Sequence, residues 1–335
     1  MANAATSDAW RWRTQHEQMN TDPLTGIDRR VLELTGPHPC SSHTVYADDG
    51  TRLHYKRFGR AEGKQTLVLL NGLGGTYRTW AAVFAPLLTT FTVVIPDYRG
   101  LFESGRPRDL ASLGVERHAR DLECVLEHAG VDRFILGGWS MGVQICLEAW
   151  RTLSDRVDAL LLVSGVDGRV LSSALGFPLS DRLIPAAVRL LRDHGGPLTM
   201  ALARAVQTGP VVEMARRLGL VGRNAGTTME HAALLFSTEP EIYWRIAEHL
   251  QDHDASDVLG SITVPTLILH GDADVLTPVS RGRYFRTRIS GSEMWVFHGC
   301  THAVILEYPE KVTERLQDFV LRRLSASGTE ASRRR

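Results

Sequence analysis

The chain is poor in several things, and each shortage narrows what it is. It has 4 cysteines in 335 residues, Cys40, Cys124, Cys146 and Cys300, far apart and never as a C-x-x-C pair. That spacing gives neither a disulfide framework nor a zinc ligand set. Buried free thiols are the expectation for Cys124 and Cys146, and a packing residue rather than a reactive thiol for Cys300. Lysine is confined to Lys56, Lys64 and Lys311, and the formal net charge is +0. Without a basic excess there is no electrostatic footprint for nucleic acid. No apolar run approaches the length of a membrane span. Met1 to Asn20 is polar and mixed in charge, unlike a secretory signal, so a cytoplasmic location is expected. Glycines cluster at Asn71-Gly72-Leu73-Gly74-Gly75, but no Lys-Ser/Thr pair follows and no G-x-G-x-x-G occurs, which disfavours a phosphate loop.

What is present is a large apolar complement, 43% of the chain, enough for one sizeable core with an insertion. Residues 1–40 show little periodicity and read as an N-terminal extension. His43 to Ala47 and Arg52 to Phe58 read as strands joined at Asp48-Asp49-Gly50. Strands at Thr66–Leu70, Phe91–Pro96, Phe134–Gly138 and Val157–Val163 then alternate with helices at Thr79–Leu88, Val115–Ala129 and Met141–Leu153. The alternation resumes at Thr266–His270, a strand, Val279–Arg288, a helix, Glu293–His298, a strand, and Pro309–Leu324, a terminal helix. Continuous apolar strands alternating with amphipathic helices predict a mainly parallel sheet covered on both faces. The core is therefore assigned to 41–164 and 260–324. Residues 165–259 read as an inserted helical cap over the carboxyl ends of the strands, and 325–335 as a disordered tail. Phe177, Phe236, Tyr243 and Trp244 are the large groups of that cap. Its amphipathic run Leu183 to Arg192 is read as a packed helix in preference to a membrane-surface one.

The most specific local signal is Gly138-Trp139-Ser140-Met141-Gly142, set between an apolar strand and an amphipathic helix. A serine flanked by glycines at that junction is a nucleophile elbow: the turn is too tight for a Cβ at Gly138 or Gly142, and it lifts the hydroxyl above a helix N-terminus. A serine needs a base and an orienting acid. His302, on the loop after a late strand, is the candidate base, with His298 a weaker competitor. Asp274, beyond the Gly271 turn, is the preferred acid. Asp272 reads as a brace for that turn, and Asp167 as an alternative acid. The oxyanion N–H groups are assigned to Met141 and to Leu73 in the glycine-rich loop. Gly72 and Trp139 are expected to touch substrate. Activity is expected to fall on acidification through the histidine range.

These motifs, with Asp97-Tyr98-Arg99-Gly100 and Ser104, occur in an order that resembles the alpha/beta-hydrolase superfamily, of the capped serine esterase and lipase type, over about residues 43 to 324. The resemblance implies Ser140 as nucleophile, Asp274 as acid, His302 as base, and Leu73 and Met141 as oxyanion donors. The chain departs from the family at Asn71 in place of His, at Phe102-Glu103 and Thr301 in place of Gly, and at Val143 in place of a third Gly. Epoxide hydrolases and haloalkane dehalogenases of this fold carry an aspartate at the elbow. Ser140 therefore points to an acyl-enzyme and to hydrolysis of a hydrophobic carboxylic ester, without metal or organic cofactor. Acyl transfer or C–C cleavage with the same triad, and a non-catalytic ligand-binding protein, are the alternatives. Oligomeric state is left open.

Overall fold

The apolar runs Gln65–Leu70, Phe91–Pro96, Phe134–Trp139, Val157–Val163 and Thr266–Gly271 are buried on both faces, and their alternate side chains feed two separate cores. The computed structural model describes residues 26–60, 64–169, 180–206, 208–235 and 238–333. The strands are β1 (Cys40–Tyr46), β2 (Arg52–Phe58), β3 (Gln65–Leu70), β4 (Phe91–Pro96), β5 (Phe134–Trp139), β6 (Val157–Val163), β7 (Thr266–Gly271) and β8 (Glu293–Phe297). They form one 8-stranded sheet in the order β1-β2-β4-β3-β5-β6-β7-β8. β1 and β2 pair antiparallel, as do β2 and β4, and all later pairings are parallel. Leu67 and Leu69 of β3 and Ile135 of β5 enter one core, and Val68, Leu70, Phe134 and Leu136 the other. This is the period-two pattern of a sheet with helices on both faces.

On one face lie α3 (Val115–His128), α4 (Met141–Leu153) and α10 (Val279–Arg288); on the other lie α1 (Gly26–Thr35), α2 (Tyr77–Phe84), α11 (Val304–Glu307) and α12 (Pro309–Arg333). Between β6 and β7 the described residues form α5 (Ser180–His194), α6 (Gly196–Ala205), α7 (Gly209–Arg217), α8 (Ala225–Leu235) and α9 (Pro240–Asp252). This helical excursion has a small core of its own around Val206, Ala215, Val221, Ala225 and Met229. A bridge between Gly168 and Asp254 closes its base. Val188 of the run at Leu183–Arg192 is buried and Leu190 is exposed. Phe177 and Phe236 lie outside the described residues.

Several boundaries differ from the sequence expectation. The structure continues α12 to Arg333, where a disordered tail was expected from 325; the Ala, Ser, Glu and Arg composition there permits helix. Within the N-terminal extension, α1 was not anticipated, because Val31 and Thr35 are buried while Leu32 and Leu34 stay exposed, which blurs the apolar period. β1 begins at Cys40 rather than His43. The helix expected at Thr79–Leu88 begins two residues earlier, where Thr76 and Thr79 form a reciprocal capping box, and tightens into a 3₁₀ turn at Ala85–Leu87 around Pro86.

Candidate functional site

Three loops at the carboxyl edge of the parallel strands converge. Ser140 follows β5 in a left-handed conformation, φ 56° and ψ −118°, unusual for a residue with a Cβ. A Cβ on Gly138 would overlap the Gly142 carbonyl, and one on Gly142 would overlap the Leu70 carbonyl, so both glycines are required by close packing of strand against helix. Val143 N–H donates to the Ser140 carbonyl at 3.0 Å and starts α4 beneath the hydroxyl.

His302 lies on the loop after β8, and its Nε2 is 2.9 Å from Ser140 Oγ. Its Nδ1 is 2.9 Å from Asp274 Oδ2, on the loop after β7. With the proton on Nδ1, the ring donates to the carboxylate and turns the Nε2 lone pair toward the serine O–H. The Asp274 side chain is fully shielded from solvent. Burial works to raise its pKa, but the charge and hydrogen bond of His302 and the hydrogen bonds of Thr277 outweigh it, holding the carboxyl below its ordinary value. Leu276 N–H and Thr277 N–H donate to its Oδ1 at 2.9 and 2.8 Å, and Thr277 O–H donates to Oδ2 at 2.6 Å.

The competing assignments sort themselves by partner. Asp272 accepts from Gly299 N–H at 2.7 Å and pairs at 2.8 Å with His298, whose side chain is exposed. Asp167 forms an ion pair with Arg281. Cys300 is buried, and burial followed by the Glu307 charge pushes its thiol far above the ordinary range, which removes it as a nucleophile. His270, beneath Asp274, is buried and pushed down to about 4 by desolvation, so its ring is neutral.

The loop Asn71–Gly75 runs beside the elbow. A Cβ on Gly72 would press to 2.9 Å from the Trp139 ring and 3.2 Å from Ser140 Cβ, so only glycine allows this approach. Among the described residues, neither Leu73 N–H nor Met141 N–H donates to a protein acceptor. The Leu73 side chain packs against the small cluster formed by Val188 of α5 and Ala247 of α9, which Trp244 of α9 also borders. Trp139 does not only border the site: its indole N–H donates to the His302 carbonyl at 3.0 Å, and its ring lies 5.5 Å from the imidazole. Thr277, Thr301 and Glu307 were not anticipated. The first had a legible signal, since an aspartate followed closely by Thr277 and Pro278 suits an Asx turn, and Asp274 does accept from the N–H groups two and three residues on.

The loop after β4 ties α3 and the turn between β1 and β2 together through Arg99, and its Tyr98 hydroxyl donates to the Asn71 carbonyl at 2.7 Å. Arg99 is fully buried, with Nε and Nη2 on Asp121 at 2.6 and 2.5 Å and Nη1 on Asp49 at 2.8 Å. Ser104 O–H donates to the Asp97 carbonyl at 2.8 Å.

A mainly parallel eight-stranded sheet, a serine on a strained strand-to-helix turn, and a histidine and a shielded aspartate in hydrogen-bond series define a hydrolase scaffold. The chain belongs to the alpha/beta hydrolase fold family, whose model matches residues 65–309, and is an enzyme of that superfamily. Its relatives include a putative carbamate hydrolase, RutD of Klebsiella pneumoniae subsp. pneumoniae, 29% identical over 242 residues, 71% of this chain and 86% of that protein. Among solved structures, a thermophilic esterase from Thermogutta terrifontis matches with a TM-score of 0.67 at 23% identity, covering 85% of this chain and 98% of that one. The enol-lactonase from Burkholderia xenovorans matches with a TM-score of 0.68 at 21% identity, covering 83% and 100%. Among the described residues, no helix is long and apolar enough to cross a membrane.

Proposed function

We propose that this chain is a serine hydrolase that cleaves a carboxylic ester of a small to medium hydrophobic substrate through an acyl-enzyme. The observation that carries the reading is the unbroken series from Asp274 through His302 to Ser140, with 2.9 Å at each junction. Ser140 Oγ attacks the carbonyl carbon while its proton passes to His302 Nε2. The oxyanion so formed is stabilised by Leu73 N–H and Met141 N–H, the latter at the N-terminus of α4. Collapse breaks the C–O bond, and the leaving alkoxide takes the proton from Nε2. A water then repeats the sequence on the acyl-serine and frees the acid. Asp274 stays ionised throughout and offsets the charge on the imidazolium.

The packing of Leu73 against the Val188 and Ala247 cluster, with Trp244 beside it, favours a hydrophobic acyl group, with α5 and α9 acting as a cap above it. The test is a fluorophosphonate label combined with p-nitrophenyl esters of rising acyl length, run beside thioesters and amides. Label on Ser140, ester turnover, and a fall of about 10⁴-fold or more in Ser140→Ala are expected. Ester turnover at the wild-type rate by folded Ser140→Ala would refute the assignment. Product transfer to an added alcohol in place of water would redirect it to acyl transfer.

A further inference from the structure

Glu307 closes the one-turn helix α11, five residues beyond His302, and is buried with 2% exposure. Its carboxylate accepts from Thr301 N–H at 3.2 Å and from the Thr301 hydroxyl, so both donors of the residue before His302 end on it. On its other side it accepts from Gly222 N–H at 2.9 Å, in the segment joining α7 to α8. Asn224, two residues on, donates from Nδ2 to the Leu306 carbonyl at 2.9 Å and to the Glu307 carbonyl at 3.4 Å. Among the described residues no cation forms an ion pair with Glu307. A charge in such a place is held by its hydrogen-bond donors alone, and here they come from two separate parts of the chain.

We propose that Glu307 is a positioning residue that fixes the His302 loop and ties it to the helical excursion at Gly222, so that the seating of that excursion sets the geometry of the base. The inference rests on the serine-hydrolase reading. Trp139 holds the His302 carbonyl from the elbow side, and Glu307 holds the Thr301 amide and hydroxyl on the residue before it. The base is thus clamped on both sides of its Cα, and among the described residues the Glu307 clamp is the one that reaches the excursion. The packing at Gly222 is close enough to transmit a displacement: a Cβ there would lie 2.7 and 2.9 Å from the two Glu307 oxygens.

The experiment uses the full chain, with p-nitrophenyl ester turnover normalised to the sites titrated by a fluorophosphonate, so that loss of folded protein is separated from loss of rate. Glu307→Gln leaves one oxygen and turns an amide N–H₂ toward a donor. Its kcat per titrated site is expected to fall about tenfold or more with KM within about twofold, the cost of a small misplacement of a reacting group. Gly222→Ala touches no reacting group and is expected to lower kcat per site in the same way. Thr301→Val is expected to lower it too, and Thr301→Ser, which keeps the hydroxyl, to recover most of the loss. Wild-type kcat per site in Glu307→Gln, or in Gly222→Ala if Glu307→Gln does not fold, overturns the proposal. If wild type takes no label at Ser140, the hydrolase reading itself has failed, and the clamp falls with it.

Discussion

Asp274 has lost its water and kept its charge, and the balance that allows this is local. Desolvation raises its pKa, but His302 and the hydrogen bonds from Thr277 lower it by more, so the carboxylate is held ionised below its ordinary range. A folded-state pKa below the unfolded one means stability present above the unfolded value, about 3.9 for an aspartate, and lost as pH falls through the folded one. Asp274→Asn is therefore expected to behave in two distinguishable ways. Its kcat falls by about 10⁴-fold, because an amide favours the wrong tautomer of His302. Its stability deficit relative to wild type, followed by urea unfolding, shrinks as pH is lowered from about 4, where wild type begins to lose the same contribution. A deficit that stays constant down to pH 2 would contradict the depressed pKa. The contrast with Asp272 shows what a sequence can carry at this scale. Both acids lie in Gly271-Asp272-Ala273-Asp274, and their places relative to the Gly271 turn were enough to prefer Asp274 as the acid and Asp272 as a brace. The strain at Ser140 was legible because glycines, strand and helix are contiguous around it. The part played by Glu307 was not, because it depends on Thr301 and Gly222, which meet only after folding.

Helix α4 and the loop after β6 carry a compensation that crosses elements. Val143 stands in the first turn of α4, where the family frequently has glycine, and adds a branched side chain at the crowded base of the elbow. The space comes from Gly165, just past β6: a Cβ there would overlap the Val143 side chain, its own Cβ included. Because the obstruction is the root of a β-branched side chain rather than a flexible tip, it has little room to yield. Gly165→Ala is expected to cost about 1–3 kcal/mol in urea unfolding. Val143→Gly combined with Gly165→Ala should restore part of that, with a coupling energy of about 1 kcal/mol or more. Strictly additive losses would remove the compensation. Such a pairing is invisible in the sequence, where 21 residues lie between the two positions. What was visible is the set of core elements from β2 to β6 and from β7 to α10, whose ends moved by a residue or two at most in the strands, while 165–259 was read only as a helical block. The misses fall where the apolar signal is thin. They are α1, with Val31 and Thr35 its only buried side chains, and the end of α12, where small and charged residues continue a helix with no apolar stripe to announce it.

At the scale of the molecule, the chain brings to one edge of the sheet four loops drawn from β3, β5, β7 and β8, and the N-terminal helix adds a fifth constraint from outside the sheet. Asp28 of α1 accepts from the Tyr77 hydroxyl at 2.8 Å and from Arg78 Nε and Nη2 at 2.5 and 3.1 Å. Tyr77 and Arg78 are the first two residues of α2, directly after the Gly72–Gly75 loop and its Thr76 cap. On the far side of the same turn, His231 of α8 lies 3.3 Å from the Arg78 carbonyl. The start of α2 is thus held between the N-terminal helix and the helical excursion, and the loop proposed to supply one oxyanion donor enters it. The Asp28 and Arg78 side chains are 15% and 19% exposed, so the pair is mostly desolvated and its two-point geometry counts for more than that of a surface pair. Asp28→Ala leaves the guanidinium in place without its carboxylate, and a cost of about 1–3 kcal/mol in thermal or urea unfolding is expected. Because the loosened turn anchors the Leu73 loop, kcat per titrated site should fall several-fold as well, with transition-state stabilisation lost and ester binding nearly kept. Unchanged stability would mean that α1 merely rests against the sheet; lowered stability with unchanged kcat per site would mean that it braces the fold without reaching the oxyanion loop.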